Sequence, residues 1–261
     1  HKTKVGWWKN GYPEYFAKVL NAPNWIGIHI KINDETLDLN KIVINSFSRE
    51  LDMLKGIYIR KFKGILNNGI EILVEVTRFI SLEEESLGAI EYKITSLNTE
   101  CNLSVVPYLD SGIKNQDSNW NDEFWRNTNL VSNDLFSGII SKTNKTNFEV
   151  CTYMSNKLFY ENKTISPLSI TKNKFKNKLS QIYNIKVQKG KTLKVIKLGG
   201  YVCNKINSQT NILESTEKII KRVINFEFEE LLKSQAKSWK KIWEISDIEI
   251  VGDPKSQQAI R

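Results

Sequence analysis

Histidine is nearly absent from this chain: among its 261 residues only His1 and His29 are histidine. A histidine-based metal site and a Ser/His/Asp triad both need a well-placed imidazole, and His29 falls at an outward position of an alternating segment. Neither chemistry is assembled here, and no metal is expected. Cysteine is almost as sparse. Cys101, Cys151 and Cys203 lie in separate strand-like segments without metal-ligand spacing, an odd number leaves at least one thiol unpaired, and buried free thiols are the ordinary reading. No run approaches the roughly 20 apolar residues that span a bilayer as a helix, so no membrane partner is expected. The first residues carry neither an initiator Met nor an apolar signal core, which points to a processed product or a fragment. The compartment is left undetermined, the cytoplasm favoured over periplasm or secretion. Sequons at Asn102, Asn144 and Asn162 arise readily by chance in a chain so rich in Asn.

Acidic residues are the minority charge, 29 against 38 basic, for a formal net charge of +9. The excess is densest from residue 172 to 197, where lysines punctuate Phe175, Leu179, Ile182, Tyr183, Ile185 and Val187 without any Arg. Lysine in that pattern ordinarily lines the solvated face and the edges of strands. Nucleic acid is therefore not an expected partner.

What is present is alternation. Ile26, Ile28, Ile30 and Ile32 share one face of residues 25–32, and Ile70, Ile72, Val74 and Val76 share one face of 70–80. Further strands are expected over 55–66, 88–97, 101–108, 138–141, 148–154, 157–160, 178–188 and 192–203, with Asn67-Asn68-Gly69 supplying the positive φ angles of a tight hairpin. So many short, turn-punctuated strands predict a mostly β protein, a large antiparallel sandwich occupying residues 1–207, its opening segment an irregular arm. After Asn207 the period changes. A short helix is expected over 215–225, then a longer one carrying Phe228, Leu231, Leu232, Ala236, Trp239, Ile242 and Trp243 at i, i+3, i+4 spacing. Two tryptophans on one face exceed what a single sandwich needs, so this helix is expected to dock onto another surface. Asp253-Pro254 opens a third helix as N-cap and first turn. Residues 208–261 thus read as a helical linker.

The stretch from Tyr108 to Trp125 gathers acids, amides and aromatics in one insertion, the composition of an ordered functional loop. Asp110, Asp117, Asp122 and Glu123 offer the paired carboxylates that glycosidic bond cleavage uses, although solvent in an amide-rich loop keeps such groups near their ordinary pKa. Trp120 and Trp125, with Phe124, can stack on a sugar ring or anchor the loop in the core, anchoring being the commoner use. Asp117, Asn119 and Asn121 match the first, third and fifth positions of a calcium loop, but Asp122 replaces the required Gly and Thr128 the closing Glu. Gly199-Gly200 follows a strand and opens no helix, so no phosphate cradle is expected.

Four stretches together carry a family resemblance: Asn21-Ala-Pro-Asn-Trp-Ile-Gly27; Phe47-Ser-Arg-Glu-Leu-Asp-Met53 with Gly56; Tyr108-Leu-Asp-Ser-Gly112 with Asn115, Asp117 and Asn119-Trp-Asn-Asp-Glu-Phe-Trp125; and Trp239 to Trp243, continuing through Ser246-Asp-Ile-Glu-Ile-Val-Gly-Asp253 to Gln257-Gln-Ala-Ile-Arg261. In this order they resemble the N-terminal region of glycoside hydrolase family 65, which holds maltose, trehalose and kojibiose phosphorylases and related hydrolases. The resemblance implies a β-sandwich, linker helices and then an (α/α)6 barrel that bears the catalytic glutamate and the groups handling phosphate or water. No family catalytic residue maps onto this sequence. The implied partners are that barrel, an α-linked glucose disaccharide and a second copy in a homodimer. No cofactor is implied beyond inorganic phosphate as co-substrate. A free-standing carbohydrate-binding sandwich and a pure assembly scaffold are the alternatives.

Overall fold

The computed structural model describes residues 19–116, 123–161, 163–172, 177–203 and 211–260. The expected arm before residue 19 and the boundary at 207 lie outside them. The strands are β1 (Ile28–Ile32), β2 (Glu35–Thr36), β3 (Val43–Asp52), β4 (Ile57–Ile65), β5 (Glu71–Ile80), β6 (Gly88–Ser96), β7 (Cys101–Asp110), β8 (Trp125–Ser132), β9 (Ser137–Thr143), β10 (Glu149–Tyr160), β11 (Lys163–Ile165), β12 (Ser169–Lys172), β13 (Lys178–Val187) and β14 (Thr192–Cys203). The helices are α1 (Ile212–Val223), α2 (Phe228–Ser246) and α3 (Pro254–Ile260). A five-stranded sheet runs β12-β13-β7-β1-β2. A nine-stranded sheet runs β3-β4-β5-β6-β14-β10-β9-β8, with β11 on β10. The named strand pairs are antiparallel, as the alternation predicts.

Three apolar layers follow from strand parity. Ile30 and Ile32 of β1, Val74 and Val76 of β5, Ile94, Leu103, Val105, Leu193 and Val195 fill the space between the sheets. The opposite face of the large sheet is also apolar where helices cover it. Phe79, Leu87, Ile196 and Leu198 meet Val223, Phe228 and Leu231, while Ile140, Cys151, Tyr153 and Val202 meet Ile212 and Ile220 of α1. Strands β10 and β14 are therefore apolar on both faces, as strands buried on both sides must be.

Several expectations are corrected. α2 docks onto the large sheet of its own sandwich: Trp239 lies over Gly56, Trp243 Nε1 donates to the Met53 carbonyl at 3.1 Å, and the two indoles stack 5.6 Å apart. The buried Gln235 ties the helix down, donating to the carbonyls of Gly56 and Ile80 and accepting from the Leu82 amide. β3, β8 and β12 were not expected as strands. β3 and β8 are the two edges of the large sheet and β12 an edge of the small one, and neither β3 nor β8 has a buried residue, so no burial pattern forces alternation on them. A register shift near Ile44 and Ser46 further breaks the period of β3. In the 67–69 hairpin only Gly69 has positive φ, with its amide donating to the Leu66 carbonyl, a wider turn than the two-residue kind. Cys203 is exposed, whereas Cys101 and Cys151 are buried; all three are free. Lys197, in the lysine-rich stretch read as solvated, is completely buried. Asp253 caps α3 as expected, accepting from the Lys255 and Ser256 amides.

Candidate functional site

β7 carries the chain to the insertion. Its partner β1 sits so that Gly27 faces the Tyr108 ring, and a Cβ at Gly27 would lie 2.2 Å from that ring. The glycine is needed for this close approach. The Gly27 carbonyl accepts from the Tyr108 amide at 3.0 Å and from Lys197 Nζ at 2.8 Å. Lys197 also donates to the Tyr108 carbonyl at 2.9 Å. A lysine of β14, in the large sheet, thus holds the β1–β7 pair of the small sheet from inside. Burial drives its pKa well below the ordinary lysine value. On the other side of Tyr108, His29 stacks on the ring at 4.5 Å, and Lys178 Nζ stands 5.7 Å from the ring centroid. Partial burial, and then the Lys178 charge, lower the His29 pKa.

The loop that leaves β7 is fastened to residues 19–24. Asn24 and Asp110 exchange main-chain hydrogen bonds of 2.7 and 2.9 Å. Asn115 Oδ1 accepts from the Asn21 amide, Asn115 Nδ2 donates to the Val19 carbonyl, and Asn21 Nδ2 donates to the Lys114 carbonyl. From the far end of the insertion, Trp125 Nε1 donates to the Asn21 carbonyl at 2.9 Å. Asn21 is therefore the point where the two ends of the insertion meet.

Asp110 is committed within the fold: Oδ1 accepts from the Gly112 amide at 2.9 Å, and Oδ2 pairs with Lys178 Nζ at 3.0 Å. Glu123 is largely exposed, 3.6 Å from Lys114, and its carbonyl accepts from Asn144 Nδ2. Trp125 is half-buried at the start of β8. Asp117, Trp120 and Asp122 lie outside the described residues. Between the two ends of the insertion sits a small cavity of about 160 Å³, lined by residues that include Ser111, Gly112, Glu123, Trp125, Asn127 and Asn177. Asn127 Nδ2 donates to Asn177 Oδ1 at 3.0 Å, and the Asn177 main-chain carbonyl accepts from both the amide and the hydroxyl of Ser111. The cavity is polar, and Glu123, Trp125 and Arg126 are among its lining residues. No group of three or more His, Cys, Asp or Glu that could hold a metal occurs among the described residues.

Sequence reasoning named Asp110, Glu123 and Trp125 but missed Lys197, Asn127 and Asn177. Lysines and asparagines are so common here that neither type stands out. Asn21 and Asn115 were visible only as parts of longer motifs.

Residues 1–242 match the family model described as glycosyl hydrolase family 65, N-terminal domain. The chain is 31% identical over 265 aligned residues to a maltose phosphorylase of Bacillus subtilis (strain 168), which covers 100% of this chain and 34% of the relative. It is 25% identical to an α,α-trehalose phosphorylase of Thermoanaerobacter brockii, across 96% of this chain and 34% of that protein. A solved structure given as a presumed kojibiose phosphorylase from the human microbiome superposes with a TM-score of 0.81 at 23% identity, across 92% of this chain and 30% of that one, and shares the fold. The chain spans about a third of the length of these curated relatives.

Proposed function

Because the chain belongs to glycosyl hydrolase family 65 and matches its N-terminal domain, we propose that it is the non-catalytic part of an inverting α-glucoside phosphorylase or hydrolase. Its roles are to carry the catalytic barrel, to contribute to a homodimer, and to hold the 108–125 insertion at the mouth of the active site. Residues 1–207 are the sandwich and 208–261 the helices that lead to the barrel. The substrate is an α-linked glucose disaccharide, with inorganic phosphate as co-substrate in the phosphorylase case. The relatives named for maltose, trehalose, kojibiose and nigerose support that class.

The observation that carries the reading is the double attachment of the insertion to Asn21. The two described ends of the insertion are pinned to one point through Asn115 and Trp125, as a positioning element requires. The Asp110 carboxylate serves as a strut, and the chemistry is left to the barrel. A second support lies at the other end of the chain, where Ile245, Ile248 and Val251 are 87%, 60% and 89% exposed, an apolar stripe that a further domain would cover.

The test is steady-state kinetics and thermal unfolding of the full-length enzyme bearing Trp120→Ala or Trp125→Ala. KM for the disaccharide is expected to rise several-fold, with kcat falling less. Unchanged KM together with unchanged stability would remove the insertion from the active-site mouth. The 261-residue chain alone is expected to show no phosphorolysis and no sugar binding by calorimetry. Binding by that chain would instead identify a carbohydrate-binding module.

A further inference from the structure

Three arginines on adjacent strands of the large sheet have no role in the site described above. Arg49 of β3 and Arg60 of β4 are direct cross-strand partners, and Arg78 of β5 stands opposite Tyr58, two residues from Arg60 along β4. Parity puts all three on the face that turns towards the small sheet, the face of Phe62, Val74 and Val76. Those three are buried between the sheets, whereas β3 is exposed along almost its whole length, so the arginine end of this face lies on an open flank. Each guanidinium lies against a ring: Arg49 5.8 Å from the Phe47 centroid, Arg60 5.9 Å from Phe62, Arg78 4.5 Å from Tyr58. The carboxylates of the neighbouring strands, Glu50, Glu75 and Glu91, alternate onto the other face, where Glu75 and Glu91 already pair with Lys61 and Lys93. No carboxylate among the described residues pairs with any of the three arginines. Arg60 hydrogen-bonds the buried Tyr92 side chain, but its Nε is buried without an acceptor.

Like charges set directly opposite across an antiparallel pair repel, and an unmatched buried N–H is costly, so the line is incomplete as it stands. A guanidinium presents its N–H groups as a planar fork, the geometry that takes a carboxylate with two hydrogen bonds. Beside Arg78 opens a groove of about 450 Å³ whose walls are mainly apolar, with Ile26, Leu51, Tyr58, Ile80 and Trp239 among them. A small oxyanion would use the arginines and leave this groove empty. A polar sugar would find few partners in it. Apolar side chains flanked by carboxylates satisfy both halves, and that combination belongs to a protein surface.

We propose that the Arg49–Arg60–Arg78 line and its groove receive an acidic, apolar ridge of the catalytic portion. This rests on the reading that the full-length protein carries such a portion. Trp239 and Gln235 of α2 line the groove beside Arg78, and the same helix runs on to the exposed Ile245, so the groove borders the apolar end of α2.

Calorimetric unfolding of the full-length protein at low and high salt tests the proposal. The unaltered protein is expected to melt in one cooperative transition whose midpoint falls as salt rises. R49Q/R60Q/R78Q is expected to split that transition in two, or to lower it by about 5 °C, and to lose the salt dependence. R49K/R60K/R78K, which keeps charge and loses the fork, is expected to fall between. Arg49→Gln alone, at an exposed position, gives a smaller shift of the same sign if the triple variant does not fold. A single transition unchanged by the triple Gln variant overturns the arginine interface and leaves the domain reading standing. Two independent, salt-insensitive transitions in the unaltered protein overturn both.

Discussion

Lys197 Nζ lies 2.9 Å from the main-chain carbonyl oxygen of Tyr108, so a completely buried lysine joins the two sheets at the root of the insertion. Burial lowers the folded-state pKa below the unfolded value. Between those two values the unfolded chain binds more protons, and stability rises with pH across that window. Lys197→Met is expected to remove this slope, and at pH 7 to leave stability unchanged or raise it by about 1–3 kcal/mol, whereas Lys197→Ala lowers it by about 2–4 kcal/mol through the cavity left behind. Urea unfolding at pH 7 and pH 9 checks both. Above about pH 10 the sign reverses, because Tyr92 and Tyr183, pushed up to about 12 by burial, hold protons that the unfolded chain releases.

Gly27→Ala places a methyl group inside contact distance of the Tyr108 ring and is expected to cost about 1–3 kcal/mol by overpacking. In the Tyr108→Ala background the same change is expected to cost far less. A double-mutant cycle with no coupling between the two sites would sink this account of the glycine.

Asn115→Ala removes two bonds, from the Asn21 amide and to the Val19 carbonyl, and is expected to cost about 1–3 kcal/mol. Trp125→Phe removes one, to the Asn21 carbonyl, and is expected to cost about 1 kcal/mol. Hydrogen exchange reads the local effect: Asn115→Ala is expected to speed exchange at Asn21 strongly and at β10 hardly at all.

Gly56 has φ +63, and a Cβ there would meet the Trp239 indole, so Gly56→Ala combines backbone strain with a clash. A loss of roughly 1–3 kcal/mol is expected. Trypsin cleavage at Lys237, Lys240 and Lys241 of α2 is expected to accelerate as the helix detaches, and unaltered cleavage would contradict the docking.

The interior strands were legible in the sequence because each is forced to alternate: Ile70, Ile72, Val74 and Val76 have one buried face and show it. β3 and β8 were not, since neither buries a residue on either face and nothing obliges the neighbours of Phe47, Arg49 and Leu51 to be polar in alternation. The docking partner of α2 was misread for another reason. Its periodicity announces an apolar face but not what lies opposite, and Gly56, Phe79 and Ile80 offer that surface from more than 150 positions away. In the insertion, residue types signalled importance. The fastenings, by contrast, depend on amides of Asn21 and Asn115 that pair in space and resemble every other asparagine along the chain. Lys197 was hidden by its company, one lysine among many in a stretch where most others face water.

β14 lies between β6 and β10, pairing with residues 88–95 on one side and 150–160 on the other. Until residues 192–203 have left the ribosome, the large sheet can exist only as two unjoined halves, β3 to β6 and β8 to β11, each with a raw inner edge. Nascent chains of this protein therefore pass through a stage, roughly 2–9 seconds long at ordinary elongation rates of about 5–20 residues per second, in which two sticky half-sheets await a late-arriving keystone. That interval is where chaperones would earn their place, and where a slow-translating codon run ahead of β14 would do the most harm.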